Sequence, residues 1–576
     1  MVKTSDQKTV PAWEGFEPGL LRIKESPHEN LVHPSDDRRQ HVWVTWRMLL
    51  LLGALAVTPV AAAWVQYLLF GLPEPPLAAS QIPDSVGDPH GFPAWLRVTH
   101  YVNLLFLVLL VRSGLQILWD HPRLYWSVHC TPGTEWARFT PLAVPRDRVW
   151  TACDDNRYLS PWLGLPGGRH TVGMARHWHF FCALVWALNG AVFVTLLLAT
   201  DQWKRLVPAS WRILPDAWSV LVHYATLHMP VEPDGFYKYN ALQQLSYFAV
   251  VFLLAPLQIL TGLAMSPAID NHFKWYTRLF GNRQAARSLH FFGLVAFLGF
   301  VVVHVSMVVV TGLVRNANHI VLGTDTTDPT GLVLGLLALA VVVAACVAAH
   351  RLSWRRPRLV QYCSHLVVGA LMRCFLDPAR PRAQYTRAEI SPYFWPNGKM
   401  PTSDAWRALA AGGFGAYRLR VTGLVEHPVE LSLDDLRALG KSEQITLHHC
   451  IQGWSGIAEW GGLPLTKLVE LVKPRPEARM VVFRSFGEGL HEGEYYDCFT
   501  LRDVTHPQSL LAYEMNGAPL PELHGAPLRL RVENQLGYKQ VKWIREIEFV
   551  VSEKQLGKGY GGKNEDDEYF DLNANI

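Results

Sequence analysis

The sequence contains no Cys-x-x-Cys pair. Its eight cysteines (Cys130, Cys153, Cys182, Cys346, Cys363, Cys374, Cys450 and Cys498) are scattered singly, which sets aside zinc knuckles and iron–sulfur ligation in the usual spacings and gives no disulfide framework. Strong charge of either sign is also missing. The net charge is +4 and no basic stripe accompanies it, so no nucleic-acid partner is expected. A cleavable leader is lacking as well: the first 45 residues are polar. The Arg38-Arg39 pair precedes a segment long enough to span a membrane, not the short apolar core of a twin-arginine signal.

What is present is unevenly placed. Nearly all the long apolar runs fall in the first 350 of 576 residues, and the remainder reads as an average globular chain. A hydrocarbon core about 30 Å thick needs about 20 apolar residues of helix. Six segments meet that length: 48–70, 97–118, 178–200, 241–265, 288–313 and 331–349. The sixth is apolar all round and reads as a tether; Arg112 sits near one end of the second, where it can snorkel. Basic residues alternate between the connections. They are dense before the first span (Arg38, Arg39, Arg47), in 119–176 (Arg123, Arg138, Arg146, Arg148, Arg157, Arg169, Arg176), in 266–287 (Lys274, Arg278, Arg283, Arg287) and after the last span (Arg351, Arg355, Arg356, Arg358), and absent from 71–94. The loop at 201–240, with Lys204, Arg205, Arg212 and Lys238, is intermediate. The positive-inside rule then puts both chain ends in the cytoplasm.

Histidine within a span is costly and calls for a role. His100 opens the second span and His179 the third, and His290 and His304 both lie in the fifth. The last two are separated by about 21 Å along a helix and fall near one face. Topology sorts the four by depth into an outer pair, His100 with His304, and an inner pair, His179 with His290. Two neutral imidazoles per iron are the usual ligation of an electron-transfer b haem. His223 and His228 read as interfacial.

The segments LRVTHYVNLLFLVLLVRSGLQI, ARHWHFFCALVWALNG, YNALQQLSYFAVVFLLAPLQILTGLAMSP and ARSLHFFGLVAFLGFVVVHV resemble successive helices of the di-haem cytochrome b561-type family that supplies membrane subunits to thiosulfate reductases and nickel–iron hydrogenases. The resemblance covers about 95–310 and implies two b haems held by His100, His179, His290 and His304. It prefers His179 to its neighbour His177.

From about residue 380 short alternating runs appear, such as YRLRVTGLV, QITLHHC and KWIREIEFVV, punctuated by Gly and Pro and by helical LSLDDLRALG and LTKLVELV. They predict an α+β domain. Its pointed features are Cys450, directly after a strand, and the basic Arg529, Lys539 and Lys542. By itself such a cysteine is more often a buried packing residue than a metal ligand. HHCIQGWSGIAEWGGLPLTKLV and YEMNGAPLPELHGAPLRLRVENQLGYKQVKWI resemble the sulfite-oxidase-type molybdopterin family over roughly 390–550. The resemblance implies Cys450 as the thiolate ligand of molybdenum, with Ser485, His524, Arg529 and Asn397 contacting the pterin. It also implies that Gln540, Val541 and Lys542 hold its terminal phosphate through backbone amides and the lysine charge. Where sulfite oxidases carry an arginine-bearing stretch after the cysteine, this chain has Ile451, Gln452 and Gly453. That disfavours an anionic substrate and lies nearer the bacterial methionine-sulfoxide reductase branch.

The expected architecture is a polar segment 1–45, an all-α transmembrane di-haem domain 46–350, a linker 351–385, an α+β molybdopterin domain 386–552 and an acidic tail 553–576, the two end segments reading as solvated, with packing of GYGGKNEDDEYF against the membrane domain as the alternative for the tail. The expected function is a multi-pass inner-membrane oxidoreductase with its soluble domain in the cytoplasm. It would exchange electrons between membrane quinone or quinol and a small-molecule substrate, and more readily as a quinol-driven reductase of an S-oxide. A substrate dehydrogenase feeding quinone uses the same parts. A transmembrane electron conduit with a non-catalytic docking domain is the rival from another class. Self-association is left open, and the long loop 119–176 is a candidate part of the dock.

Overall fold

The structure is a computed structural model that describes residues 22–23, 31–32, 38–74, 91–139, 152, 156, 158–159, 162–166, 171–228, 236–376, 380–489 and 493–576. Most of the polar N-terminal segment, Cys153, Arg146, Arg148, Arg157 and Arg169 lie outside the described residues. Among the described residues six helices are long and apolar enough to cross a bilayer. They are α1 (Arg38–Phe70), α2 (Ala94–Asp120), α3 (Val172–Ala199), α4 (Ala241–Ala264), α5 (Arg283–Val310) and α6 (Thr330–Arg355). A β-rich domain follows them.

Local chemistry explains where these helices begin and bend. The Thr171 hydroxyl accepts from the Met174 amide to cap α3, and the Asn282 side chain accepts from the Gln284 and Ala285 amides to cap α5; each satisfies donors that a helix start leaves orphaned. Asn240 and Gln243 form a reciprocal capping box at the start of α4. Midway, α4 widens into a π turn at Ala249–Leu254, next to Pro256, which has no amide to continue the ladder. The sixth span does more than tether. The Arg112 guanidinium on α2 donates to the Cys346 carbonyl, and the Trp178 indole of α3 donates to the Ser353 hydroxyl at 2.7 Å. Arg112 also donates to the Gly164 carbonyl at 3.1 Å, so its charge is met by protein carbonyls.

The β-rich domain packs two five-stranded sheets on each other. In one, strand 544–550 runs parallel to 419–423 and antiparallel to 480–488, with 494–500 and 429–431 at the edges. In the other, the hairpin of 442–449 and 455–464 pairs onward to 509–515, which also meets 518–519 and 529–532. Leu419, Val421, Leu463, Val481, Phe483, Leu511, Leu530, Ile547 and Phe549 belong to the buried core between them, the alternating inward residues that the sequence pattern anticipates.

The acidic tail departs from the solvated reading. Its carboxylates have partners: Glu565 receives the buried Lys539 ammonium at 2.7 Å, Asp567 meets Lys558 and Lys563, and Asp571 lies 3.0 Å from His365 and 3.4 Å from His177. Arg358, just after α6, donates to the Glu565 carbonyl and lies over the Tyr560 ring, and Asn271 donates to the carbonyl of Ile576. The tail is therefore a strap from the β domain back to the membrane bundle. Composition could not reveal this, because the partners of Glu565 and Asp571 (Lys539, His177 and His365) come from other elements of the chain.

Lys539 bonds two fully buried carboxylates, Asp497 and Glu565. Lys539→Met leaves both in a dry site without a counter-charge, and removing one partner of a buried ion network costs about 3–5 kcal/mol. Thermal unfolding in detergent is expected to show the β domain melting clearly earlier than in the parent protein; an unchanged transition would remove this network from the account of stability.

Candidate functional site

Hydrogen bonding in the hairpin 442–449/455–464 runs without a break to His449 opposite Ser455, so the five residues Cys450–Trp454 form its tip. The Cys450 amide donates to the Trp454 carbonyl and the Gly453 amide to the Cys450 carbonyl, each at 3.1 Å. Gly453 has φ +115, a conformation that glycine alone adopts freely. The tight turn holds the Cys450 side chain in a cavity rather than in solvent.

That cavity gathers six of the eight residues that the family resemblance implies in this domain: Asn397, Cys450, His524, Arg529, Gln540 and Lys542. The Asn397 amide faces the Cys450 sulfur at 3.9 Å, and Gln452 lies beside the same sulfur at 3.6 Å. Lys542 donates to the carbonyls of Asn397 and Leu523. Arg529 donates to the His524 carbonyl at 2.9 Å, while Arg529 and Arg531 each lie 4.5 Å from the centre of the Trp460 ring. Ser485 and Val541 do not line the cavity. The Ser485 hydroxyl donates to the Lys542 carbonyl at 2.7 Å and accepts from Gly487, and Val541 is a core residue. The Gln540 and Val541 amides are donated to the Gly537 and Lys539 carbonyls, so the charged group at this corner of the cavity is the Lys542 ammonium.

The electrostatics suit an anionic, sulfur-rich guest. Burial, with Lys542 and Arg529 alongside, holds His524 well below the usual imidazole range, and burial with Arg531 and Arg529 does the same to His448. Both are neutral donors or acceptors. Arg529 is buried, depressed by burial and by Arg531, and its Nε has no partner among the described residues. An unsatisfied guanidinium nitrogen, an ammonium and a thiol around one cavity fit a molybdopterin, which brings anionic oxygens and a thiophilic metal.

The cavity is completed from outside the β domain. Asp120, Asn156, Tyr158 and Val172 of the membrane arm line it, as do Asn564, Glu568 and Phe570 of the tail. The hairpin tip also rests on the start of α5. Arg283 and Gln284 both donate to the Gly453 carbonyl, at 3.1 and 2.9 Å, and Gln284 also donates to the Ser455 hydroxyl. Arg287, one turn on, donates to the carbonyls of His121 and Arg123. The described part of the long loop docks too. The Trp395 indole donates to the Cys130 carbonyl at 2.7 Å, Ser455 donates to Val128, and His129 meets Ser391 at 2.8 Å. None of Arg283, Gln284, Arg287, Asp120 or Asn156 was singled out from sequence. A signal existed: Arg283 and Arg287 open a helix, where the macrodipole disfavours cations, so carbonyl or anionic partners outside the helix were to be sought.

Within the bundle the four intramembrane histidines form two pairs. His100 and His304 have ring centres 6.4 Å apart, and so do His179 and His290. A metal–imidazole bond of about 2.0 Å, with the ring centre roughly 1.2 Å behind its nitrogen, puts two imidazoles on one metal at about this separation. The pairs thus fit bis-imidazole ligation. All four rings keep open space around them, with His100 exposed inside the bundle and the others half-buried. Gly114 and Gly262 leave room beside the second pair; a Cβ on Gly114 would come within 3.2 Å of His179. The Nδ1 atoms of His179 and His290 each lie 3.1 Å from a hydroxyl, on Ser113 and Thr261. His177 instead faces the tail, and His223 bonds the Ser219 carbonyl on its own helix.

Comparison with known proteins agrees with this division. The family model of prokaryotic cytochrome b561 matches residues 91–321, and that of the oxidoreductase molybdopterin binding domain matches 410–557. A putative protein-methionine-sulfoxide reductase subunit YedZ1 of Azospira oryzae is 33% identical over 172 residues, 30% of this chain and 60% of that protein. The protein-methionine-sulfoxide reductase catalytic subunit MsrP of Xanthomonas campestris pv. campestris is 31% identical over 194 residues, again 30% of this chain and 60% of that protein. The chain thus spans about 60% of the length of these relatives. The sulfane dehydrogenase SoxCD from Paracoccus pantotrophus is similar over 25% of this chain and 42% of its own, at 24% identity and a TM-score of 0.23. The chain joins a cytochrome b561-type membrane domain to a molybdopterin-binding oxidoreductase domain, which implies haem b in the first and a molybdopterin in the second.

The double variant Arg283→Ala/Gln284→Ala strips the Gly453 carbonyl of both donors from α5. Hydrogen exchange is expected to quicken at least tenfold, about 1.4 kcal/mol, in amides 450–455 while the sheet 480–488/544–550 stays protected. Unchanged exchange at the tip would mean that these contacts do not fasten it.

Proposed function

We propose that this chain is a membrane-bound, quinol-driven reductase of a small S-oxide. His100 and His304 would hold one b haem, His179 and His290 a second, and the Cys450 thiolate would ligate the metal of a molybdopterin. The working units are the membrane domain at 46–350, the linker at 351–385 and the cofactor domain at 386–552. The observation that carries the reading is the shared helix α5. Gln284 grips the loop that bears Cys450, and His290 follows about 9 Å along the same helix. One rigid element thus places the inner histidine pair against the cavity, which suits electron transfer between fixed centres.

A molybdopterin bound there supplies two-electron oxygen-atom transfer. The sulfoxide gives up its oxygen, takes two electrons and two protons, and leaves as the sulfide together with one water; the electrons come from a quinol by way of the haems. In this proposal the chain's residues hold and orient. Lys542 and Arg529 meet the anionic oxygens, His524 and Asn397 contact the pterin, and Ser485 fixes the Lys542 backbone from behind. Gln540 and Val541 build the turn that carries Lys542. Two features support an S-oxide. Gln452 and Ile451 beside the cysteine bring no charge for an anion, and the relatives are named methionine-sulfoxide reductases. The roof formed by Asn156, Tyr158 and Phe570 favours a small substrate over a protein surface. Arg123 just after α2, Arg176 near the start of α3, and Arg283 and Arg287 at the start of α5 lie on the side of the β domain, which supports a cytoplasmic position for it.

In stopped-flow spectroscopy, quinol is expected to reduce the haems, and a dialkyl sulfoxide to reoxidise them, in the parent protein. Cys450→Ser keeps the first phase and the haem spectrum and loses the second. Haems that quinol cannot reduce, or undiminished reoxidation in Cys450→Ser, would sink the proposal. Trypsin is expected to cut the β domain in inverted membrane vesicles and leave it intact in right-side-out ones; the opposite pattern would move it across the membrane.

A further inference from the structure

The two histidine pairs differ in what stands behind their rings. The Ser113 hydroxyl donates to the Leu109 carbonyl at 2.8 Å and the Thr261 hydroxyl to the Leu257 carbonyl at 2.7 Å, each a backbone acceptor one turn earlier. Each hydroxyl proton is thereby committed, and the oxygen facing Nδ1 of His179 or His290 at 3.1 Å is left as an acceptor, beside the backbone carbonyl of Leu110 at His179 and of Gln258 at His290. The Nδ1 atom must carry the proton, so Nε2 presents its lone pair. Both hydroxyls come from helices other than those of their histidines, Ser113 from α2 and Thr261 from α4, and glycine stands beside each: Gly114 next to Ser113 and Gly262 next to Thr261. At the other pair no hydrogen bond to either ring is present among the described residues. His304 is stacked at 5.5 Å on Phe300, with Tyr247 edge-on at 5.9 Å.

We propose that Ser113 and Thr261 are positioning residues that lock the tautomer and plane of the inner histidines and lower the midpoint potential of the inner haem, a device without a counterpart at the outer pair among the described residues. An Nδ1–H···O bond makes an imidazole more basic, and a more basic axial ligand favours ferric over ferrous iron. The inference rests on the haem assignment above and adds that the two haems are unlike by construction. The shared pattern, a serine or threonine followed by glycine on a neighbouring helix, places acceptor and clearance together.

The test is a spectroelectrochemical titration of the purified protein, with low-spin ferric EPR alongside. Two haem components are expected in the parent. Ser113→Ala and Thr261→Val each move the midpoint of the same component upward and shift the g-values of one ferric signal, whereas Ser113→Thr, which keeps the hydroxyl, leaves both near the parent. Two components that stay in place in both alanine and valine variants overturn the inference, as does a shift of different components. A parent protein that titrates as one haem overturns the di-haem reading itself and the inference with it. If one variant fails to assemble, the other is read by the same criterion.

Discussion

The Gly453 carbonyl, held by Arg283 and Gln284 at the start of α5, is the contact on which the working arrangement depends. Three residues before it is Cys450, and well over one turn along the helix from Gln284 is His290. A carbonyl buried at a domain junction must be satisfied, and the partners that satisfy it belong to the element that runs down through the bundle. The positive end of α5 would ordinarily repel arginine. Here Arg283 and Arg287 give their donors to the carbonyls of Gly453, Met265, His121 and Arg123, so backbone dipoles of the docked loop replace the water those cations would otherwise keep.

Around this contact the interface is built from polar bonds as much as from apolar packing. Arg123 is buried, pairs with Glu135 at 2.8 Å and lies over the Trp395 ring, and Trp395 in turn bonds Cys130 and faces His121 at 5.1 Å. Burial together with Arg287 and Arg123 keeps His121 far below the usual imidazole range. Such networks give geometric uniqueness more readily than net stability. That is the property needed where two redox domains must meet in one orientation.

Much of this was legible before the structure. The six spans follow from apolar length, and the pairing of His100 with His304 and His179 with His290 follows from topology; the ring separations fit it. Cys450 could be placed at the end of a strand because QITLHHC alternates and a glycine follows closely. Three things were not legible. The role of α6 as a packed member of the bundle rests on Ser353 and the Cys346 carbonyl, which a uniformly apolar pattern conceals. The strap at 553–576 depends on the Lys539 charge and on hydrogen-bonding partners from His177 and His365, all outside the tail. The retreat of Ser485 and Val541 behind the cavity wall comes from strand register, and a motif records order along the chain without recording which face a side chain takes.

Fusion into one chain has a physical consequence beyond proximity. A domain on a single flexible linker would visit its partner at a high effective concentration but in many orientations. Here the β domain is fastened at its entrance, where Arg380 donates to the His272 carbonyl and Lys274 to Tyr385. It is fastened at its centre through Gly453 and Trp395, and at its exit through Arg358, Gln361 and Asn271 acting on the tail. Three separated attachments remove the rotations that one or two would leave. The cavity opens within a fixed junction, and the exposed residues of its lining are Lys399, Glu488 and Tyr158. In the proposed function, a fixed electron-transfer distance and a restricted substrate size would be two results of the same docking geometry.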